Sequence, residues 1–145
     1  MCSVYAVQVA VTESVLPGEG RLNPTLLTNL EVTVDLPAGV GLASPQVDLE
    51  GVDGRLLDYV AHLGLIHKLV FGSDLVITSG KEGQHVQNSF HKLGKAVDLR
   101  TSDIDESSQL LFLHVVSFSA PTRGVAVFDE RSTNDPKHLH LELHD

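Results

Sequence analysis

Cysteine occurs once, at Cys2, so no intrachain disulfide can form. Lys and Arg together number 10 against 19 Asp and Glu, a net charge of −9. That balance argues against nucleic acid or an anionic membrane as the main partner, because both attract clustered cations. No apolar run approaches the ~18 residues of a membrane span. The opening "MCSVYAVQVAVTESV" carries no Lys or Arg ahead of its apolar residues and alternates with polar ones, so it reads poorly as a signal peptide. The expected setting is the cytoplasm, or a phage lysis protein. No repeat or low-complexity linker divides the chain.

What is present reads as one soluble domain. A chain of 145 residues buries about 68–70% of the surface its unfolded form exposes, so it needs neither a disulfide nor a structural metal for its core. The first 47 residues have a period of two. Tyr5, Val7, Val9 and Val11 share one face, as do Leu30, Val32, Val34 and Leu36, and prolines and glycines at 17–18 and 37–39 punctuate the region as turns. "DGRLLDYVAHLGLIHKLV" then changes to a helical period through Leu56, Leu57, Val60 and Leu63, with Gly64 weakening the pattern beyond. "LVIT", "GVAVFD" and "HLHLELH" read as strands, and a second helix is expected over about 107–118, with Asp103, Asp105 and Glu106 at its positive end. This order predicts an α+β fold on a largely antiparallel sheet. Residues 1–47 are expected as a β extension and 48–145 as the core.

Two stretches carry chemistry. In "HLHLELH", Leu139, Leu141 and Leu143 fall on one face of a strand, and His138, His140, Glu142 and His144 on the other. A His-x-His pair on a strand can turn two imidazoles toward one metal, whereas His144 and Asp145 read as a solvated end. In "NSFHKLGKAVDLR", His91 and Asp98 offer a nitrogen and an oxygen suited to Zn²⁺, and a further histidine would complete a three-ligand site with an open position. His62, His67 and His114 lie in helical patterns and read as structural.

"SFHKLGKAVDL" resembles the Ser-x-His-x-x-Gly-x-Ala-x-Asp signature of the M15 zinc peptidases, the D-alanyl-D-alanine carboxypeptidase family with its endolysin relatives. Ser89, His91, Gly94, Ala96 and Asp98 match it. The amino-terminal signalling domain of hedgehog proteins shares that fold and a similar motif. "VITSG" resembles the family's strand ending in Ser-Gly, and "HLHLEL" its closing strand, so the resemblance spans roughly residues 52 to 145. It implies an M15/hedgehog-like sheet with flanking helices, and His91 and Asp98 as zinc ligands.

For the third ligand the resemblance leaves two alternatives. The His-x-His members point to His140, with Glu142 in the following acidic position and His138 donating to the developing oxyanion. The endolysin pattern of an acid, two residues and a ligand fits "DPKH", making Asp135 the base and His138 the ligand. Zinc so held would acidify a water toward pKa ~7 and polarise the scissile carbonyl. A carboxylate must then take the proton and pass it to the leaving amine. Asp135 is the first candidate, Glu130 the second and Asp129 the third.

Family members often carry an Arg after Ser-Gly to hold a substrate carboxylate. Here Lys81 and Glu82 stand in that neighbourhood, and Lys81 would act as a point charge without guanidinium geometry. Ser89, Lys81 and Gln84 are the expected substrate-binding residues, with His85, Gln87 and Asn88 further possible lining. The expected function is zinc-dependent hydrolysis of peptidoglycan stem peptides or similar D-amino-acid peptides. The alternative is a non-catalytic, hedgehog-like zinc module serving recognition. The acidic calcium-binding cluster of hedgehog domains has no clear counterpart here, which favours the enzyme.

Overall fold

The computed structural model describes residues 7–10, 31–34, 36–83, 86–132 and 137–145. The chain forms two compact units, Met1–Leu36 and Pro37–Asp145. In the first, β1 (Val7–Ala10) and β2 (Glu31–Val34) pair antiparallel, with Val7 opposite Val34 and Val9 opposite Val32. Val7 and Val9 of one expected face thus stand in register with Val34 and Val32 of the other, while Tyr5, Val11 and Leu30 lie outside the described residues.

The second unit is α+β. Its five-stranded sheet runs β3-β4-β5-β7-β6, from β3 (Val40–Leu42), β4 (Leu75–Ser79), β5 (Ala96–Arg100), β6 (Val125–Asp129) and β7 (His138–Leu143). The sheet is mixed: β3 and β4 are parallel, and the other three pairings are antiparallel. A parallel pair needs a crossover connection, and α1 (Gly54–Phe71) supplies it. β3 lies inside the segment expected as an extension, yet it pairs with β4 and belongs to this sheet.

The helices form where side-chain oxygens close their first turns. Asp53 accepts from Arg55 N–H at the start of α1, and Asp105 accepts from Ser107 and Ser108 N–H at the start of α2 (Glu106–Ser119). Leu56, Leu57, Val60 and Leu63 are buried as their period requires. Gly64 does not end α1. A Cβ there would overlap Val40 Cγ2 and the Gly39 carbonyl, so this glycine lets the helix lie directly on β3. Tyr59 joins the two helices through Val116 O at 3.2 Å and Ser119 Oγ at 2.7 Å. His67 is structural, as expected. It is buried, its Nδ1 lies 2.8 Å from Ser73 O, and its ring meets Phe71 and Phe112 edge-on.

Leu139, Leu141 and Leu143 of β7 are buried with Val97 and Leu99 of β5 and Ile77 of β4. The alternation read from "HLHLELH" therefore holds, and the polar half of β7 looks out from the opposite side of the sheet. Among the described residues no helix is long and apolar enough to cross a membrane.

Candidate metal centre

The polar face of the sheet is a grid of three strands. Ladder pairing sets Asp98 of β5 opposite His140 of β7, and His140 opposite Phe128 of β6. One step along, Arg100 pairs with His138, and Glu130 continues the β6 side by donating its N–H to His138 O at 3.2 Å. One step the other way, Glu142 stands between Ala96 and Ala126. Because i and i+2 share a face, these residues project together. Asp98 lies mid-strand in β5, and His91 belongs to the turn that precedes it.

That turn is built closely. Leu93 N–H donates to Ser89 O, Gly94 N–H to His91 O and Lys95 N–H to Phe90 O. Gly94 has φ +69°, and a Cβ on it would overlap Gly51 O, so the chain there accepts only glycine without strain. Asp53 N–H donates to Gly94 O at 2.8 Å, tying the turn to the start of α1.

Asp98 Oδ1 is the meeting point of three imidazoles. His140 Nδ1 lies 2.7 Å from it, His91 Nε2 3.4 Å and His138 Nε2 3.9 Å. Each ring is held from elsewhere. His91 Nδ1–H donates to Gly80 O at 2.6 Å, which leaves Nε2 turned to Asp98. His140 Nε2 donates to Glu142 Oε1 at 3.0 Å, and Glu142 Oε2 lies 3.3 Å from His144 Nε2. His138 Nε2 is 3.1 Å from Glu130 Oε2.

Charge follows this geometry. Burial alone would raise the Asp98 pKa, but hydrogen bonds from His140 and His91 outweigh it and hold the carboxyl well below its ordinary range. Burial would lower His140; the Asp98 and Glu142 carboxylates win and raise it. Both its ring nitrogens face carboxylate acceptors, an arrangement that suits the imidazolium.

Among the described residues, His91, Asp98 and His140 form a group that could hold a metal ion, their ligand atoms all within 4.8 Å of one another. Three ligands around a tetrahedral zinc at about 2.1 Å lie about 3.4 Å apart. The His91–Asp98 separation already has that value, and the 2.7 Å His140–Asp98 contact is a hydrogen bond that a metal would open. Two imidazoles and a carboxylate suit zinc, and each imidazole gives its other ring nitrogen to a fixed acceptor, Gly80 O for His91 and Glu142 Oε1 for His140. The donor set therefore fits the group.

Of the other expected site residues, Glu130 reaches the polar face through His138. Asp129 does not. It pairs with buried Leu139, so it points to the helix side, where Arg131 binds it at 2.7 and 2.8 Å beside Glu106 and Gln109. Ser89 Oγ accepts from Lys92 N–H at 3.3 Å and so braces the His91 turn. The Lys81 ammonium lies over Gly51. Glu82 turns inward to accept from Gly80 and Asp48 N–H. Asp135, Gln84 and His85 lie outside the described residues. Arg100 and Phe128 are on the site face without having been singled out; only strand register reveals them.

The fold and the site thus define an α+β protein carrying, on the polar face of its sheet, a His/Asp group that could hold a metal ion. Comparison with protein-family models, with curated proteins and with solved structures finds no match.

Proposed function

We propose that this protein is a zinc-dependent peptidase of the M15 type, cleaving peptidoglycan stem peptides or related D-amino-acid peptides. The observation that carries the reading is the convergence of His91 Nε2 and His140 Nδ1 on Asp98 Oδ1, with His138, itself paired with the Glu130 carboxylate, beside them. His91, Asp98 and His140 would hold the metal. Zinc, when bound, supplies a Lewis acid and an activated water for attack on a carbonyl. The chain's own residues do the rest. Gly80 O and Glu142 fix the two imidazoles in orientation. His138, whose Nε2 is 3.1 Å from Glu130 Oε2, would donate to a developing oxyanion, and Glu130, or Asp135 outside the described residues, would accept the proton and return it to the leaving amine.

The test has two stages. Elemental analysis should find one zinc per chain, lost in His91→Ala, Asp98→Ala and His140→Ala and kept in His138→Ala. The zinc-loaded protein should then cleave peptidoglycan stem peptides, with one of Glu130→Gln and Asp135→Asn reducing kcat by about 10²–10⁴-fold. Retention of full activity in the double variant would remove both from the role of base. Stoichiometric zinc without cleavage of any stem peptide would leave the hedgehog-like binding module as the function of this site.

A further inference from the structure

The helical layer of the second unit leaves an apolar face uncovered. Tyr59, near the start of α1, reaches Val116 and Ser119 near the end of α2, and His67 and Phe71, near the end of α1, meet the Phe112 ring. The two helices therefore run antiparallel, side by side. Phe112 and Val116 bury the inner side of α2, as Leu56, Val60 and Leu63 bury that of α1. The outer side of α2 is not polar, as that of a solvated helix would be. Leu110 and Leu111 are each half exposed and Phe118 is 87% exposed; beside them on α1, Leu65 is about half exposed and Leu69 84%. α2 carries one charged side chain, Glu106 at its start, and no Lys or Arg. Single exposed leucines are ordinary, but a helix apolar on both its inner and its outer side marks a contact surface.

We infer that this face is the interface of a homodimer, in which α2 packs antiparallel on α2 of a second copy. Spacing points to that occupant. Leu110 and Leu111 precede His114 by four and three residues and Phe118 follows it by four, so all share the outer side of α2. A two-fold axis at His114 sets both leucines against the partner's Phe118, and Phe118 against the partner's leucines, as an isologous contact requires. Leu65 and Leu69 extend the apolar surface beside this seam. A lipid surface is the poorer fit, because interfacial helices flank their apolar side with Lys and Arg, and α2 has neither. A charged peptide would find only Glu106 on α2 to recognise it. A helix of 14 residues is about 21 Å long and packed helices lie about 8–10 Å apart, so the layer offers a footprint of about 20 Å by 20 Å. That is at the low end of stable interfaces, so the dimer exchanges with monomer at about micromolar concentration. The dimer owes nothing to the metal centre, which lies on the other face of the sheet.

Sedimentation equilibrium of the full chain should show monomer giving way to dimer as concentration rises through the micromolar range. Phe118→Glu and Leu111→Glu put a charge into the seam at exposed positions, so each protomer should keep its fold, which thermal unfolding followed by circular dichroism checks. Each should weaken association by at least about tenfold. Register has its own test. In a Cys2→Ser background, His114→Cys sits on the axis and should form an intersubunit disulfide on mild oxidation, whereas Leu69→Cys, away from the axis, should not. A wild type that stays monomeric through the micromolar range, a dimer unmoved by both glutamate variants, or a dimer cross-linked through Leu69→Cys but not through His114→Cys would each overturn the assignment. Binding of a monomeric wild type to phosphatidylcholine vesicles would also overturn it and give the face to lipid.

Discussion

Asp98 and His140 are direct ladder partners across β5 and β7, and their side chains meet at 2.7 Å on the solvent side of the sheet. The contact joins a carboxyl whose pKa is depressed to an imidazole whose pKa is raised, so each stabilises the charge of the other. Without metal, the Asp98 contribution is present above its unfolded pKa and fades as pH falls through its lower folded value. The His140 contribution is fully present below about 6.5 and fades as pH rises through its raised folded value.

Metal uptake must displace that proton. The affinity for zinc should therefore climb with pH through the raised pKa of His140, by up to about tenfold per unit, and level off above it. Calorimetry in buffers of different ionisation enthalpy should register a proton released on zinc binding near neutral pH. A flat affinity from about pH 6 to 8 would show that His140 carries no proton to displace.

Glu142 should act on the metal without touching it. Its Oε1 holds His140 Nε2, which leaves Nδ1 as the atom facing Asp98. Glu142→Ala should weaken zinc binding by about 10–100-fold with little loss of stability. Glu142→Gln, which keeps one acceptor oxygen, should recover much of it. His144, on the far side of Glu142 and half exposed, should be dispensable, so His144→Ala should bind zinc as the wild type does.

Much of this site could be read from local sequence, because period two is a local property. The alternation in "HLHLELH" placed three leucines inward and the histidines outward, and the structure has that arrangement. β5 was harder to see. "AVDLR" is short, it follows Gly94, and two of its residues are small or acidic, so turn chemistry competes with strand chemistry there. β3 is three residues long with a central glycine, and it pairs only with a strand beyond α1, a partnership no local pattern carries. Arg100 was invisible for the same reason: its place beside His138 is a matter of register between strands 38 residues apart. Gly64 misled in the other direction. It looked like a weak point of a helix, and its cause is the close approach of β3.

Glu82 joins the stability of the site to acid. Burial would raise its pKa, but the N–H groups of Asp48 and Gly80 bind the ionised form and lower it below 4.5. The stability it supplies is thus present above the unfolded pKa and lost as pH falls through the lower folded value. Glu82→Gln should destabilise the protein by about 1–2 kcal/mol at neutral pH, allowing for the side chain's partial exposure. The gap between variant and wild type should close on acidification below pH 4.5, followed by chemical denaturation. Since Gly80 O is the acceptor for His91 Nδ1, the same substitution should also weaken zinc binding. A stability difference that stays constant down to the acid limit would mean that ionisation of Glu82 is not what holds the loop.

Gly94 is where backbone geometry meets the candidate metal centre. Its φ of +69° falls in the left-handed region, where a non-glycine residue costs on the order of 1–2 kcal/mol. A Cβ would also run into the Gly51 carbonyl, which is backbone and cannot swing aside. Gly94→Ala should therefore cost more than the conformational term alone, at least about 2 kcal/mol by denaturant titration. The displaced turn carries His91, so zinc affinity should fall with stability. Lys92→Ala, in the same turn but exposed, its ammonium bonded to Gly83 O and its backbone N–H to Ser89 Oγ, separates the two effects. It should leave zinc affinity near the wild-type value. If Gly94→Ala lost stability yet bound zinc as tightly as the wild type, His91 would not owe its position to this turn, and its hydrogen bond to Gly80 O would be what sets it.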